Sequence, residues 1–426
     1  MVENTDVVVI GGGYAGVTAA NRLTQREGVT VTLINPRPNF VERIRLHQLV
    51  GGSDDAVESY GKVLSERVRL VVDTVDHIDV PGRRLMLATD RSVRYDYLVY
   101  ALGSGGPDPV VPGAAEFAYP IATFEEAERL RSVVDSAPET APVVVVGAGP
   151  TGIETAAELA ELGRSVTLVC GEVLGPYLHP RGRRFVARQL KKLGVTVIEG
   201  PETVVTSVTL DAVRLGDGRE LVSAVTIWTA GFTVPDLAAR SGLSVDHVGR
   251  LITDESLTSV DDDRIVAAGD SAAPSELAFR MSCQAAGPLG AHAADTVLRR
   301  VAEQPATPLA LGFLGQCISL GRRTGVFQFA HPDDTARGVY LGGRLAARLK
   351  EFVCWGTVKQ LVIEARRPGT LVVPAWLADR TRQQRLRARP TTPLRVAGWA
   401  AEDAHQRDLA GMKRTSGITI GPAGQG

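Results

Sequence analysis

The sequence predicts an α/β protein built on two doubly wound parallel sheets, and two stretches carry that prediction. The first is Val7-Val8-Val9-Ile10-Gly11-Gly12-Gly13-Tyr14-Ala15-Gly16; the second is Val143-Val144-Val145-Val146-Gly147-Ala148-Gly149-Pro150-Thr151-Gly152-Ile153-Glu154. Each opens with β-branched residues that read as a strand buried on both faces. Each continues through G-x-G-x-x-G into small residues at helical spacing: Val17, Ala19, Ala20 and Leu23, then Ala156, Ala157, Leu159 and Leu162. A further apolar run closes each unit, Val29 to Ile34 and Val166 to Val169. Such a glycine run is informative only inside a β-α-β frame, and here the frame occurs twice.

The glycines have distinct physical tasks. Gly11 permits the tight turn, Gly13 lets the backbone approach a pyrophosphate, and Gly16 lets helix and strand pack closely; Gly147, Gly149 and Gly152 repeat the set. The helix that follows offers N–H groups and a partial positive charge to phosphate. One such unit could be a glycine-rich turn with no ligand. Two in one chain point to two dinucleotides brought face to face on Rossmann-like domains.

With 426 residues the chain has room for two or three domains. Hydrophobic content of 44% and charged content of 22% are those of an ordinary globular protein, and a net charge of −1 gives no global argument for nucleic acid or an acidic membrane surface, so no nucleic-acid partner is expected. Cys170, Cys283, Cys317 and Cys354 are widely spaced with no C-x-x-C, so neither a disulfide framework nor a metal site is expected. The N-terminus has no signal-peptide pattern, and no apolar run approaches the roughly 20 residues that span a bilayer.

Along the chain, Asn35 stands about 20 residues past the first glycines, where an acid usually meets a ribose diol; an amide can hydrogen-bond there without charge. A loop follows, through Arg43, Arg45 and His47. Val68 to Val72 and Arg83 to Ala88 read as strands around the turn Val80-Pro81-Gly82. Tyr95 to Ser104 is a buried strand ending in small residues, and Gly105-Gly106-Pro107 with Val111-Pro112-Gly113 forms a hinge-like linker. Thr123 caps a helix reaching Ser136, with Glu125 and Glu126 in its first turn. Arg183 to Leu190 is helical, and Asp211 to Leu221 is a hairpin around Gly216-Asp217-Gly218. Ile227 to Gly231 echoes the small-residue strand end at Val99 to Gly103. Ile265 to Asp270 is a short buried strand, followed by a helix from Ala285 to Arg299. Beyond residue 311 glycine and short apolar runs alternate before a helical stretch from Leu345 to Val362, and the polar residues 401–426 read as a frayed tail.

In order and spacing, Gly11–Gly16, Tyr97–Ser104, Gly147–Glu154, Thr229–Gly231 and Ile265–Asp270 resemble the pyridine nucleotide–disulfide oxidoreductase superfamily. Within it, the likeness is to type II NADH dehydrogenase-like and apoptosis-inducing-factor-like FAD enzymes, and covers residues 5 to about 370. The resemblance implies a discontinuous FAD domain (1–115 and 240–310), an inserted NAD(P)H domain (116–239), and a small C-terminal α+β domain (311–385) before a polar tail (386–426). FAD would lie against Gly11, Gly13, Tyr14, Ala15, Gly16, Asn35, Arg43, Arg45, Val75, Ala101, Gly103 and Asp270, the last bonding the ribityl chain. NADH or NADPH would meet Gly147, Gly149, Thr151, Gly152, Glu154, Cys170, Glu172, Ala230 and Gly231. The implied reaction moves hydride from the nicotinamide to the flavin and electrons on to a quinone or another small or protein acceptor; the protein supplies alignment and electrostatics.

Three residues are candidates for the chemistry. Glu154 would point toward the nicotinamide–flavin contact, or serve only as a first-turn carboxylate favoured by the helix dipole. His47, with Arg45, falls in a loop that approaches the flavin in the resembling enzymes, and a solvated basic loop is the other reading. Gln284 is the residue kept from the quinone-lining segment, whose later glutamines are missing here. Residues 35–60 lack the cysteines of the disulfide-reducing relatives, so dithiol chemistry is disfavoured and the thiols default to core or surface positions. Cys170 occupies the ribose-acid position of the second fold, with Glu172 favouring NADH and Arg181, Arg183 and Arg184 available to a 2′-phosphate. Trp376-Leu377 and Trp399 stand among charges without a sustained apolar face. The expected location is cytoplasmic, with contact at the inner face of the plasma membrane and a homodimer left open. A redox-sensing flavoprotein and a dehydrogenase acting on an organic substrate are the alternatives.

Overall fold

The computed structural model describes residues 4–106 and 109–388. Thr5–Ile10 is the centre of a five-stranded parallel sheet, flanked by Val29–Asn35 and Val68–Val72 on one side and by Tyr97–Tyr100 and Ile265–Ala267 on the other. Val7 to Ile10 are at most 2% exposed, as an all-β-branched run covered on both faces should be. A parallel neighbour requires a crossover, and helix α1 (Tyr14–Leu23) provides it between the first two strands. The expected loop after Asn35 is more ordered than its polar sequence suggests. Asn39–Val41 pairs with Val57–Ser59, and Leu46–Val50 forms a short helix, α2, buried at every residue.

The second sheet repeats the first. Pro142–Val146 is central, with Ser165–Val169 and Thr196–Ile198 on one side and Val225–Trp228 and Ala118–Pro120 on the other. Helix α3 (Phe124–Ser136) starts where Thr123 requires, in a reciprocal capping box with Glu126. Helix α4 (Pro150–Glu161) leaves the glycine turn, and α5 (Pro180–Lys192) extends the expected helix at both ends. The echo between Val99–Gly103 and Ile227–Gly231 has a structural reason: each strand lies beside the glycine-bearing strand of its own sheet. The two crossings between the sheets run side by side, with Gly105 N–H donating to the Thr233 carbonyl at 2.8 Å.

Helix α6 (Cys283–Val301) starts two residues before the expected Ala285, with Ser282 as its cap. It crosses α1 at Gly290, where a Cβ would lie 2.1 Å from the Ala15 carbonyl oxygen. The glycine-rich stretch beyond 311 resolves into an antiparallel sheet of Gly315–Ser319, Gly325–Ala330 and Ala336–Gly343. Helix α7 (Arg344–Arg366) follows and packs on that sheet and on α1. The tail beyond residue 388, including Trp399, lies outside the described residues.

Candidate functional site

The two glycine turns are the same object built twice. At Gly11 φ is +98° and a Cβ would lie 2.3 Å from the Ala101 oxygen; at Gly147 φ is +113° and a Cβ would lie 2.6 Å from Thr229 Oγ1. At Gly16 and Gly152 a Cβ would come within 1.8 and 1.9 Å of the carbonyl oxygen that opens the turn. Gly13 and Gly149 are different: nothing lies within 4 Å of a Cβ placed there. They are the N-caps of α1 and α4, and no side chain caps either helix. Uncapped helix N-termini facing open space fit pyrophosphate groups, and so fit dinucleotides.

At the carboxyl edge of the first sheet, Asp270 Oδ2 accepts from Ser104 Oγ at 2.8 Å and lies 3.7 Å from Arg43 Nη1. Arg43 also donates to Ser104 Oγ and to the Ala122 carbonyl, at 3.0 and 3.1 Å. Gly103 turns beside it at φ +70°. Open α/β sheets bind ligands at this edge, and a polar group anchored this way fits a polyol chain. Ala101 continues the strand pairing, donating to the Ile10 carbonyl at 2.9 Å. Tyr14 packs edge-on to Phe40 at 5.0 Å, with a buried hydroxyl that has no hydrogen-bond partner among the described residues. Ala15 lies at the α1–α6 crossing, and Val75 is buried opposite Leu87 in the small sheet after Val72.

Two residues expected to meet FAD also hold partners within the protein. Asn35 uses Oδ1 to accept from Gly12 N–H and Nδ2 to donate to the Arg37 carbonyl, both at 2.9 Å. It shapes the glycine loop, assisted by Tyr60, whose hydroxyl donates to the Gly12 carbonyl at 2.8 Å. Arg45 is 9% exposed and tied to Glu42, Gln48 and Glu351 at 3.2, 2.7 and 3.1 Å, with Asp54 at 3.4 Å. The solvated basic loop is thus replaced by a buried ionic tie to α7. Gln284 lies against the strand that begins at Gly315: with its amide turned to satisfy both neighbours, its nitrogen donates to the Gly315 carbonyl at 3.0 Å and its oxygen accepts from Leu314 N–H at 2.9 Å.

In the second fold, Thr229 Oγ1 donates to the Val146 and Gly147 carbonyls at 2.9 and 3.2 Å, tying the glycine turn to the end of the strand Val225–Trp228, just before Ala230 and Gly231. Thr151 is exposed on the first turn of α4. Cys170 packs against the core of this fold, and burial pushes its thiol up to about 12, so it offers no charge to a ribose. Glu172 is exposed in the turn that follows, and Glu199 holds Leu174 N–H at 3.0 Å on the same edge.

The site has its electrostatic centre where four elements meet. Glu154 from α4 accepts, on Oε1, from Lys350 Nζ of α7 and from Ser319 N–H at 2.9 Å. His47 from α2 places Nδ1 3.7 Å from Glu154 Oε2 and Nε2 3.1 Å from Ser319 Oγ. Burial pushes the Glu154 carboxyl up, but Lys350 above all, with His47 and Ser319 N–H, holds it below the usual range. Burial likewise works against the Lys350 ammonium and loses to Glu154. For His47 burial wins over the pull of Glu154, and the imidazole falls to about 4. At neutral pH the cluster is therefore an ion pair beside a neutral imidazole, which keeps one donor and one acceptor. Glu154 and His47 stand out in the sequence; Ser319 and Lys350 do not, because no local motif marks them. Burial pushes Cys317 and Cys354, which lie in the field of Lys350, to about 12, so neither is a thiolate.

Residues 5–294 match the model of the pyridine nucleotide-disulphide oxidoreductase family. The chain belongs to this family. It is 31% identical over 353 residues to the NADH dehydrogenase-like protein Rv1812c of Mycobacterium tuberculosis, a match covering 76% of this chain and 87% of that one. It is 30% identical over 291 residues to the type II NADH:quinone oxidoreductase Ndh of the same organism, covering 58% and 62%. In shape it is similar to the sulfide:quinone oxidoreductase of Aquifex aeolicus, with a TM-score of 0.73 at 19% identity over 86% of this chain and 93% of that one.

The family member described here carries one surface that its sequence hides. The outward side of α7 exposes Leu345, Phe352, Trp355 and Ile363, interleaved with Arg348, Lys359 and Arg366. Phe352 and Trp355 stack at 5.7 Å, and none of the three cations has an ion-pair partner among the described residues. Val372 and Trp376 are exposed in the segment that follows. Among the described residues no helix is long and apolar enough to cross a membrane.

Proposed function

We propose that the protein is an FAD-dependent NADH dehydrogenase that delivers electrons to a quinone. The observation that carries the reading is the duplicated glycine cradle with the buried Glu154–Lys350–His47–Ser319 cluster beside it. The first cradle, with Asp270, Ser104 and Arg43, would hold FAD; the second, with Thr229, Ala230 and Gly231, would hold NADH. Bound there, FAD would take up the hydride of the nicotinamide and pass its electrons on. The polypeptide aligns the two rings, keeps a fixed charge pair in a dry setting where it is strong, and holds a neutral imidazole at Nδ1 and Nε2 as donor and acceptor. Glu172 and Glu199 at the ribose edge favour NADH, because a 2′-phosphate there would meet carboxylates. The names of the relatives support NADH and quinone. The division into residues 1–115 with 240–310, 116–239 and 311–385 fits the two sheets and the C-terminal sheet with α7. The aromatic and cationic face of α7 supports peripheral contact with an anionic membrane. Anaerobic mixing of the FAD-loaded protein with NADH should bleach the flavin within seconds, faster than with NADPH, and menadione should restore the colour. A flavin that neither nucleotide bleaches would refute the proposal.

A further inference from the structure

Helix α4 presents Glu154, Glu158 and Glu161 on one side, at spacings of four and three residues that place them on adjacent turns. The three run from the buried cluster outward. Glu154 is 7% exposed and Glu158 2%, whereas Glu161 is half-buried and reaches the turn at Arg322, whose N–H its Oε2 accepts. Glu158 Oε1 accepts from Ser53 Oγ at 2.6 Å, but its Oε2 is buried with no hydrogen-bond partner among the described residues. A buried carboxylate oxygen left bare is costly, so the site has a use for a proton. Two glycines clear the way. A Cβ at Gly51 would lie 2.6 Å from Glu158 Cγ, and one at Gly321 would lie 2.7 Å from the Glu161 carboxyl carbon.

Reduction of a quinone by NADH needs such a path. The hydride brings two electrons and one proton, while the quinol carries two protons: NADH, one proton and quinone give NAD⁺ and quinol. One proton per turnover must come from solvent. Resting on the dehydrogenase reading, we propose that α4 conducts it, from solvent to Glu161, to Glu158, and on to the Glu154–Lys350–His47 cluster. The first transfer takes a proton from water to the Glu161 carboxylate, the next two move it between carboxyl oxygens, and the cluster releases one to the acceptor for each one received. The groups facing Glu158 are consistent with a carrier. Burial raises its carboxyl, Ser53 and Arg322 lower it, and Glu161 and Glu154 raise it again. At the inner end the cluster holds the Lys350 ammonium, and Glu351 beside it is paired with Arg322 at 2.9 Å.

The test is Glu158→Gln, which preserves shape and the acceptor for Ser53 but cannot pass a proton. Turnover with menadione should fall about a hundredfold relative to turnover with ferricyanide, which takes electrons without protons. Millimolar formate should restore much of it, and the variant should gain a solvent deuterium isotope effect absent from the parent. Glu158→Asp, which keeps the acid, should retain most of the rate. Equal losses with both acceptors, or no loss with either, would overturn the relay while NADH still bleaches the flavin. Failure of NADH to bleach the parent protein would overturn the dehydrogenase reading and the relay together.

Discussion

Gly149 and Gly152 sit three residues apart and fail for opposite reasons when given a side chain. Gly149 opens on empty space, so Gly149→Ala should melt like the parent yet raise the KM for NADH about tenfold, as measured by steady-state kinetics. Gly152→Ala would drive a methyl into the Gly147 carbonyl, and should cost about 1–3 kcal/mol in urea denaturation. Lys350 and His47 make a second pair of predictions. Lys350→Met leaves the Glu154 carboxylate buried and unpaired, which should cost about 3–5 kcal/mol. His47 is neutral when folded and protonates near its ordinary value when unfolded. Its contribution is therefore complete above about pH 6.5 and is lost as pH falls toward 4, amounting to about 3 kcal/mol. Glu154 adds loss in the same direction at more acid pH, and Glu158, raised by burial, opposes it. His47→Gln should flatten the fall in unfolding free energy between pH 6.5 and 4; an unchanged slope would show that the histidine is not neutral in the folded protein.

At the scale of elements, the β-α-β units were legible because their signals are local. A strand buried on both faces needs an unbroken β-branched run, and a helix meeting it closely needs glycine at one position. Helix α3 was legible for the same reason, since Thr123 and Glu126 satisfy each other within one turn. Helix α7 shows the opposite case. Its outward apolar and cationic residues alternate with inward Lys350, Cys354 and Val358, so the sequence reads as an evenly mixed helix, and the amphipathic face appears only once packing assigns the sides. That face makes its own prediction. The protein should cosediment with phosphatidylserine vesicles and leave them at high salt, each cation contributing about 1 kcal/mol. Phe352→Glu with Trp355→Glu should abolish binding while leaving the melting temperature unchanged, because both rings are already in solvent. Equal recovery of parent and double variant with the vesicles would remove the membrane role from this helix.

Across the whole molecule, what was legible and what was not divides by distance along the chain. The polar cluster joins His47, Glu154, Ser319 and Lys350, from four elements that meet only after both sheets have formed. The neighbourhood of Arg45 and Asn35 in the sequence is that of a cofactor loop and gives no sign of their partners within the protein. In the folded protein Arg45 bonds Glu351, more than 300 residues away, and Asn35 accepts from the Gly12 N–H. From the sequence alone came the two Rossmann-like sheets, the glycine cradles and hence the class of ligand, because backbone freedom and hydrophobic periodicity are written within about twenty residues. The tertiary structure alone decided which side chains meet in the buried polar cluster and which of them carry charge. Burial and pairing set a carboxyl, an ammonium and an imidazole apart from their ordinary titration, and neither exists until distant segments pack together.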